Sequence, residues 1–265
     1  MPDLQAADSS PFDDGELYDL LFENFDYGLE YYLDLARRAN GPILDIACGT
    51  GRIMIPCLQA GLEVEGLDLS AGMLQRLQSK AEKLGYKPTL HQASMNDFKI
   101  DRKFQLIVIA FNAFIHNMTT SEQIATLALC REHLVPGGML AFDSYFPGAH
   151  IITAVENTRV LEMEKTDSKS GNIVRIFDTR AFNRVEQIQN SINEIEILDS
   201  NRNLLKSHLS KHSVRWIYKG EMQLLLKLAG FPSWSIYGGF DLRPLEQETD
   251  SLIVEAYTSS LAPLA

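Results

Sequence analysis

Between Ile43 and Asp143 the chain repeats one pattern, a short apolar run followed by an amphipathic stretch. The runs are Ile43–Ile46, Glu63–Leu67, Pro88–His91, Leu106–Ala110 and Met139–Asp143. The stretches between them, of which SAGMLQRLQSKAEKLG is the clearest, place apolar residues at helical spacing. Strands separated by helices do not pair as hairpins, because each helix carries the chain back across the sheet. The pattern predicts an α/β fold, a parallel sheet with helices on both faces. Local signals agree: Ser70 is placed to cap a helix starting at Ala71, and Thr120 with Gln123 has capping-box spacing.

The flanks differ. Residues 1–14 are acidic and poor in apolar groups, and are expected to form a mobile tail or an arm that orders over another part of the molecule. LYDLLFENFDYGLEYYLDLARRA, Leu17 to Ala39, reads as two helices broken at Gly28. From about Arg159 to Val214, β-branched and aromatic runs joined by DSKSGN and DSNRN turns predict an antiparallel meander. The helix KGEMQLLLKLAGF follows, ended by Gly230, and WSIYGG with SLIVEAY is expected to close the main sheet as an antiparallel hairpin. The organisation expected is a helical arm over 1–40, a sheet core over 41–155, an inserted β cover over 156–214 and completion of the core over 215–265.

Composition narrows the partners. With 35 acidic against 24 basic residues the net charge is -11, which works against a nucleic-acid backbone and favours a small molecule. Three cysteines without paired spacing predict neither a disulfide framework nor a metal site. The acidic start lacks the basic and apolar parts of a signal peptide and no run approaches a membrane span, so a cytoplasmic protein is expected.

The ligand signal is PILDIACGTGRIMI, where Ala47, Gly49 and Gly51 alternate just past the first strand. A parallel sheet binds ligands beyond the carboxyl ends of its strands. A dinucleotide loop needs a third glycine where this chain has Met54, and Asp45 repels phosphate but suits an ammonium or sulfonium. Seventeen residues after Gly51, VEGLDLS brings Asp68 to a strand end, where a carboxylate accepts both hydroxyls of a ribose; Leu69 and Met73 offer apolar walls for an adenine.

Asp45, Ala47, Gly49, Gly51 and Asp68 resemble the cofactor motifs of the class I S-adenosylmethionine-dependent methyltransferases, and LDIACGTG, FNAFIHN, LVPGGMLAFDSYFP and GGFDLRP extend the likeness to bacterial small-molecule methyltransferases and, more distantly, glycine N-methyltransferase. The resemblance implies a seven-stranded Rossmann-like sheet with the antiparallel insertion as a cover, and S-adenosylmethionine as cofactor. It implies that Ala47, Gly49 and Gly51 cradle the methionine part, with Asp45 and Arg52 beside it. Ser94 and Met95 fall at the adenine, where the family usually has an acid in place of Ser94. Phe111 is expected to present its carbonyl to the ammonium, and Asn112 and His116 to face the transferred methyl and the substrate. A lone histidine is ordinarily structural; within this motif it is read as a contact to cofactor or substrate. Tyr18 resembles a tyrosine that closes over the sulfonium, with Tyr27 assisting.

For the acceptor, Tyr145 stands near the position where glycine N-methyltransferase anchors a substrate carboxylate with arginine, which argues against glycine. Arg215 and Tyr218, at the junction of cover and helix, match family positions that point to the pocket; an ion pair of Arg215 with a nearby acid is the alternative. Arg175, Arg180, Glu194 and Glu196 on the meander read as a solvated face. The expectation is methyl transfer to a small molecule, at nitrogen before oxygen or carbon, with a cofactor-binding protein without catalysis as the other class. The cover is also a candidate dimer interface.

Overall fold

The computed structural model describes residues 14–22, 25–145, 147–148 and 153–259; the expected acidic tail lies outside them up to residue 13. Two helices open the described chain, α1 (Gly15–Phe22) and α2 (Leu29–Arg38), with Gly28 in the left-handed region at φ 66° making the break. The core then runs β1 (Ile43–Ile46), α3 (Met54–Gln59), β2 (Val64–Asp68), α4 (Ala71–Lys83), β3 (Thr89–Gln92), β4 (Phe104–Ile109), a 3-10 turn (Ala113–His116), α5 (Thr120–His133) and β5 (Leu134–Tyr145). The cover is β6 (Arg159–Thr166), β7 (Ile173–Asn183), β8 (Ile188–Leu198) and β9 (Leu204–Arg215), and the chain closes with α6 (Lys219–Leu228), β10 (Ser233–Tyr237) and β11 (Ser251–Tyr257).

The main sheet has the order β10-β11-β5-β4-β1-β2-β3. Strands β1 to β5 are parallel, and β11 enters antiparallel between β5 and β10, so the final hairpin joins the sheet as expected. Two apolar layers sandwich the sheet. One contains Phe104, Phe114, Phe142, Leu226 and Leu252 under α5 and α6; the other contains Tyr32, Met54, Leu77 and Val108 under α2 to α4. The β1 strand is buried at every position, as both-face coverage requires. Strand order reverses at β1 and β4, and the loops leaving these two strands define the ligand crevice.

Ser70 caps α4 as predicted, accepting from Met73 N at 3.3 Å. The cap of α5 lies one residue earlier than its sequence position suggests. Thr119 is extended and accepts from Glu122 N at 3.2 Å, while Glu122 accepts from Thr119 N at 2.8 Å; Thr120 is already helical. The cover is a four-stranded sheet of order β6-β7-β8-β9. It meets the rest of the molecule through α1, where Leu17 and Leu21 pack on Val174 and Ile195. No helix among the described residues is long and apolar enough to cross a membrane.

Candidate active site

The alternation of small residues after β1 has a conformational cause. Ala47 (φ 55°), Gly49 (φ 53°) and Gly51 (φ 93°) all lie in the left-handed region, which a side chain beyond Cβ makes costly. At Gly51 a Cβ would also stand 2.9 Å from Ile55 and Leu77. At Gly49 a Cβ would meet nothing, and that open space belongs to the cavity. The loop is tied down by Asp68, whose two carboxylate oxygens accept from Gly49 N at 2.8 Å and Ser70 N at 2.9 Å.

A second strained segment faces it. Phe111 (φ 61°) and Asn112 (φ 58°), leaving β4, are consecutive left-handed residues without being glycines. Asp143 on β5 holds them: its carboxylate accepts from Phe111 N at 2.8 Å, Asn112 N at 2.7 Å and the Tyr32 hydroxyl at 2.5 Å. Such backbone persists only where its surroundings over-determine it. The turn that follows carries His116.

Between these segments lies a small cavity of about 30 Å³ lined by Asp45, Ala47, Arg52 and Phe111 among others. Two of its buried polar atoms, Asp45 Oδ2 and Arg52 Nη2, have no hydrogen-bond partner among the described residues. Arg52 is held in place by a 2.7 Å bond from Nη1 to the Tyr27 carbonyl and by the Phe111 ring 4.8 Å below its guanidinium. Burial pushes the Asp45 carboxyl up to about 7, against the pull of Arg52. A carboxylate and a guanidinium that each keep one buried atom free for a ligand suit an ammonium and a carboxylate, the two ends of an α-amino acid.

Sharing Tyr18, Ala47, Gly49, Ala110 and Phe111 with it is a larger cavity of about 550 Å³. Asp68, Leu69 and Met73 form one side, Ser94, Met95 and Asn96 the floor beyond, and Asn112, His116 and Asn117 the other side. Tyr18 and Phe22 of α1 cover it, and His212 and Val214 of β9 close it. Burial pushes Tyr18 up to about 12, so its hydroxyl stays neutral. His116, exposed as a residue, is shifted down by desolvation on its cavity side and then by the neighbouring His212. Where the family has an acid, Ser94 donates to Asn96 Oδ1 at 2.8 Å, and this polar pair faces the cavity.

The cavities thus gather Tyr18, Asp45, Ala47, Gly49, Arg52, Asp68, Leu69, Met73, Ser94, Met95, Phe111, Asn112 and His116, all expected at the site. Gly51 supports the loop from behind. Four further candidates, like Gly51, lie outside the lining. Tyr27 packs edge-on against Phe111 and Phe240 and bonds Ser251 Oγ at 3.3 Å. Tyr145 is half-buried at the end of β5, its hydroxyl without a partner among the described residues and raised by burial to about 12. Tyr218 precedes α6 at 40 % exposure. Arg215 pairs with Glu221 at 2.7 Å, the ion-pair alternative, and bonds Gln123 Oε1 at 2.8 Å. Through Gln123, which donates to the Asn117 carbonyl at 3.3 Å, it supports the wall from outside.

On the cover, Arg175, Glu194 and Glu196 join outer-face ion pairs with Glu164 and Arg159, a solvated face. Arg180 has the opposite phase and points inward to Asp178. Sequence reasoning missed Phe22, Asn96, Asn117, His212, Val214 and the anchoring role of Asp143. For His212 and Val214 the signal was alternation along KSHLSKHSVR, whose inward phase is visible once one buried member is known.

Residues 43–138 match the family described as "Methyltransferase domain". Among curated proteins, the dTDP-3-amino-3,4,6-trideoxy-alpha-D-glucopyranose N,N-dimethyltransferase of Streptomyces venezuelae is 34% identical over 141 residues, 51% of this chain and 58% of that protein. The dTDP-3-amino-3,6-dideoxy-alpha-D-glucopyranose N,N-dimethyltransferase of Streptomyces fradiae is 31% identical over 140 residues, 49% of this chain and 52% of that protein. The chain therefore spans about half the length of the curated relatives it matches. In fold the likeness is wider: the CcbJ methyltransferase of Streptomyces caelestis superposes with a TM-score of 0.76 at 22% identity, over 95% of this chain and 99% of the other. Within this chain, residues 43–138, which carry the loop after β1 and Asp68, form a methyltransferase domain of the S-adenosylmethionine-dependent kind.

Proposed function

We propose that the protein transfers the methyl group of S-adenosylmethionine to the nitrogen of a small-molecule amine. Bound in this site, the cofactor supplies an electrophilic methyl on a sulfonium. Asp45 receives the ammonium of its methionine part, Arg52 the carboxylate and Asp68 the ribose hydroxyls. Tyr18 and Phe22 exclude water from above, and holding the acceptor in line with the methyl removes orientation from the barrier, an effect of about 7–11 kcal/mol at best.

The observation that carries nitrogen over oxygen is the side of the cavity opposite Asp68, which offers Asn112, His116, Asn117 and His212 but no carboxylate or lysine to take a proton from a hydroxyl. His116, lowered below an ordinary imidazole, is a weak base there and serves as an acceptor that orients an N–H and leaves the amine lone pair toward the methyl. The names of the curated relatives, N,N-dimethyltransferases, point the same way.

The test is turnover of purified protein with S-adenosylmethionine against paired amines and alcohols of equal size, read as S-adenosylhomocysteine formed. Amines are expected to react, with kcat/KM rising with pH to the acceptor's own pKa. Preferential methylation of the alcohols overturns the reading.

A further inference from the structure

The acceptor side of the cavity is closed by the inner face of the cover, and its charge is unusual. Register places Ser210 opposite Asn193 and Asn193 opposite Asp178, while His212 faces Ser191 and Ser191 faces Arg180. Two polar rows therefore cross the inner face where His212 meets the cavity. Asp178 Oδ1 and Ser210 Oγ are buried on this face without a hydrogen-bond partner among the described residues.

Cations are missing from this wall. All 24 Lys and Arg residues of the chain fall among the described residues, and none lines the large cavity. The nearby guanidiniums are taken. Arg180 is held by Asp178 at 2.6 Å and Glu162 at 3.0 Å, Arg215 by Glu221 and Gln123, and Arg52 faces the amino-acid end of the cofactor site. The two titratable bases on this wall, His116 and His212, face each other, and both are lowered from the ordinary imidazole value by desolvation and by neighbouring cationic groups, which disfavours a positive charge on either. A phosphate or carboxylate placed here loses its water without gaining a counter-charge, which is strongly unfavourable. Hydroxyls and neutral amines, in contrast, find both donors and acceptors. The dTDP-linked sugars in the names of the curated relatives carry a diphosphate, for which this wall has no partner.

Resting on the amine reading above, we infer that the acceptor is an amine bearing only uncharged polar groups besides its nitrogen, with no phosphate or carboxylate, and that His212 of the cover selects it opposite His116.

The full chain saturated with S-adenosylhomocysteine would be titrated with matched probes: glucosamine and glucosamine 6-phosphate, ethanolamine and phosphoethanolamine. At least one free amine is expected to bind, with its phosphorylated counterpart weaker by about tenfold or more. His212→Ala should weaken the free amine about tenfold with S-adenosylhomocysteine affinity unchanged, His212→Gln should restore part of the loss, and His212→Lys should bring the phosphorylated probe level with the free one. Equal or tighter binding of a phosphorylated probe to the unaltered protein overturns the inference, as does binding of neither member of both pairs. Failure to bind S-adenosylhomocysteine at all would instead sink the methyltransferase reading beneath it.

Discussion

At Asp45 burial and function pull in opposite directions. Its carboxyl is raised from 3.8 to about 7 by desolvation, so near neutral pH the site is divided between protonated and ionised forms. An ammonium binds only the ionised form. If Asp45 receives the cofactor's ammonium as proposed, then because the free protein's value is the raised one, binding releases a proton and affinity climbs with pH through about 7 and levels off above it. Calorimetry near pH 6.5 in two buffers of different ionisation heat is expected to show that release, and Asp45→Asn should abolish it; identical heats in both buffers would contradict the assignment. Asp143 poses a different test. Asn in its place keeps the shape but accepts fewer hydrogen bonds, leaving one of the Phe111 and Asn112 amides without its carboxylate oxygen. A loss of about 1–3 kcal/mol is expected, a fall of roughly 2–10 °C in melting temperature, with kcat reduced as His116 shifts.

At the scale of elements, α1 is a lid fastened at several points. Asp14 caps it, accepting from Glu16 N and Leu17 N at 3.0 Å, and Lys165 of the cover donates to its last-turn Leu21 carbonyl at 2.7 Å. From its middle, buried Asp19 accepts from Thr50 Oγ1 at 2.6 Å, Arg76 at 2.7 Å and Lys80 at 2.9 Å, binding the lid to the cofactor loop and to α4. Its carboxyl is raised by burial, but the bonds from Thr50, Arg76 and Lys80 outweigh this and lower it below 3.8. A depressed value means the clamp is at full strength above the unfolded value and is lost as pH falls through the folded one, so docking of α1 should weaken only below about pH 4. Asp19→Asn should reproduce the loss at neutral pH: faster amide exchange over 15–22 and weaker cofactor binding, since Tyr18 and Phe22 ride on this helix. Unchanged exchange would show that apolar packing alone holds the lid. The elements also show what sequence can reveal. Strand and helix order, the Ser70 cap and the loop after β1 followed from periodicity and spacing, which are local. The third glycine of a dinucleotide loop, absent at Met54, has a counterpart that is not local: Gly66 on β2, where a Cβ would stand 2.8 Å from Met54 Sδ, provides the close approach of helix to sheet. No spacing rule links residues 54 and 66, which meet only through strand pairing. The same reason hid His212, whose place in the cavity depends on how a separate sheet docks.

For the whole molecule, that docking couples specificity to cofactor binding. The α1 helix lies between core and cover, offering Leu17 and Leu21 to Val174 and Ile195 while Tyr18 and Phe22 face the cavity. Ile195 is 1% exposed, and neither it nor Val174 lines either cavity. Truncation by Ile195→Ala opens a void in this cluster at a cost of about 2–5 kcal/mol. If the cover and lid move as one packed unit, the void loosens α1 and with it the roof over the cofactor, so S-adenosylmethionine should bind several-fold more weakly although no contact to it has been removed. Val185→Ala, at an 87% exposed position in the turn between β7 and β8 of the same cover, should leave both affinity and melting temperature unchanged. Calorimetric titration and thermal melts of the two variants decide the point. A destabilised Ile195→Ala protein that keeps full cofactor affinity below its melting temperature would show that the core holds α1 without help from the cover.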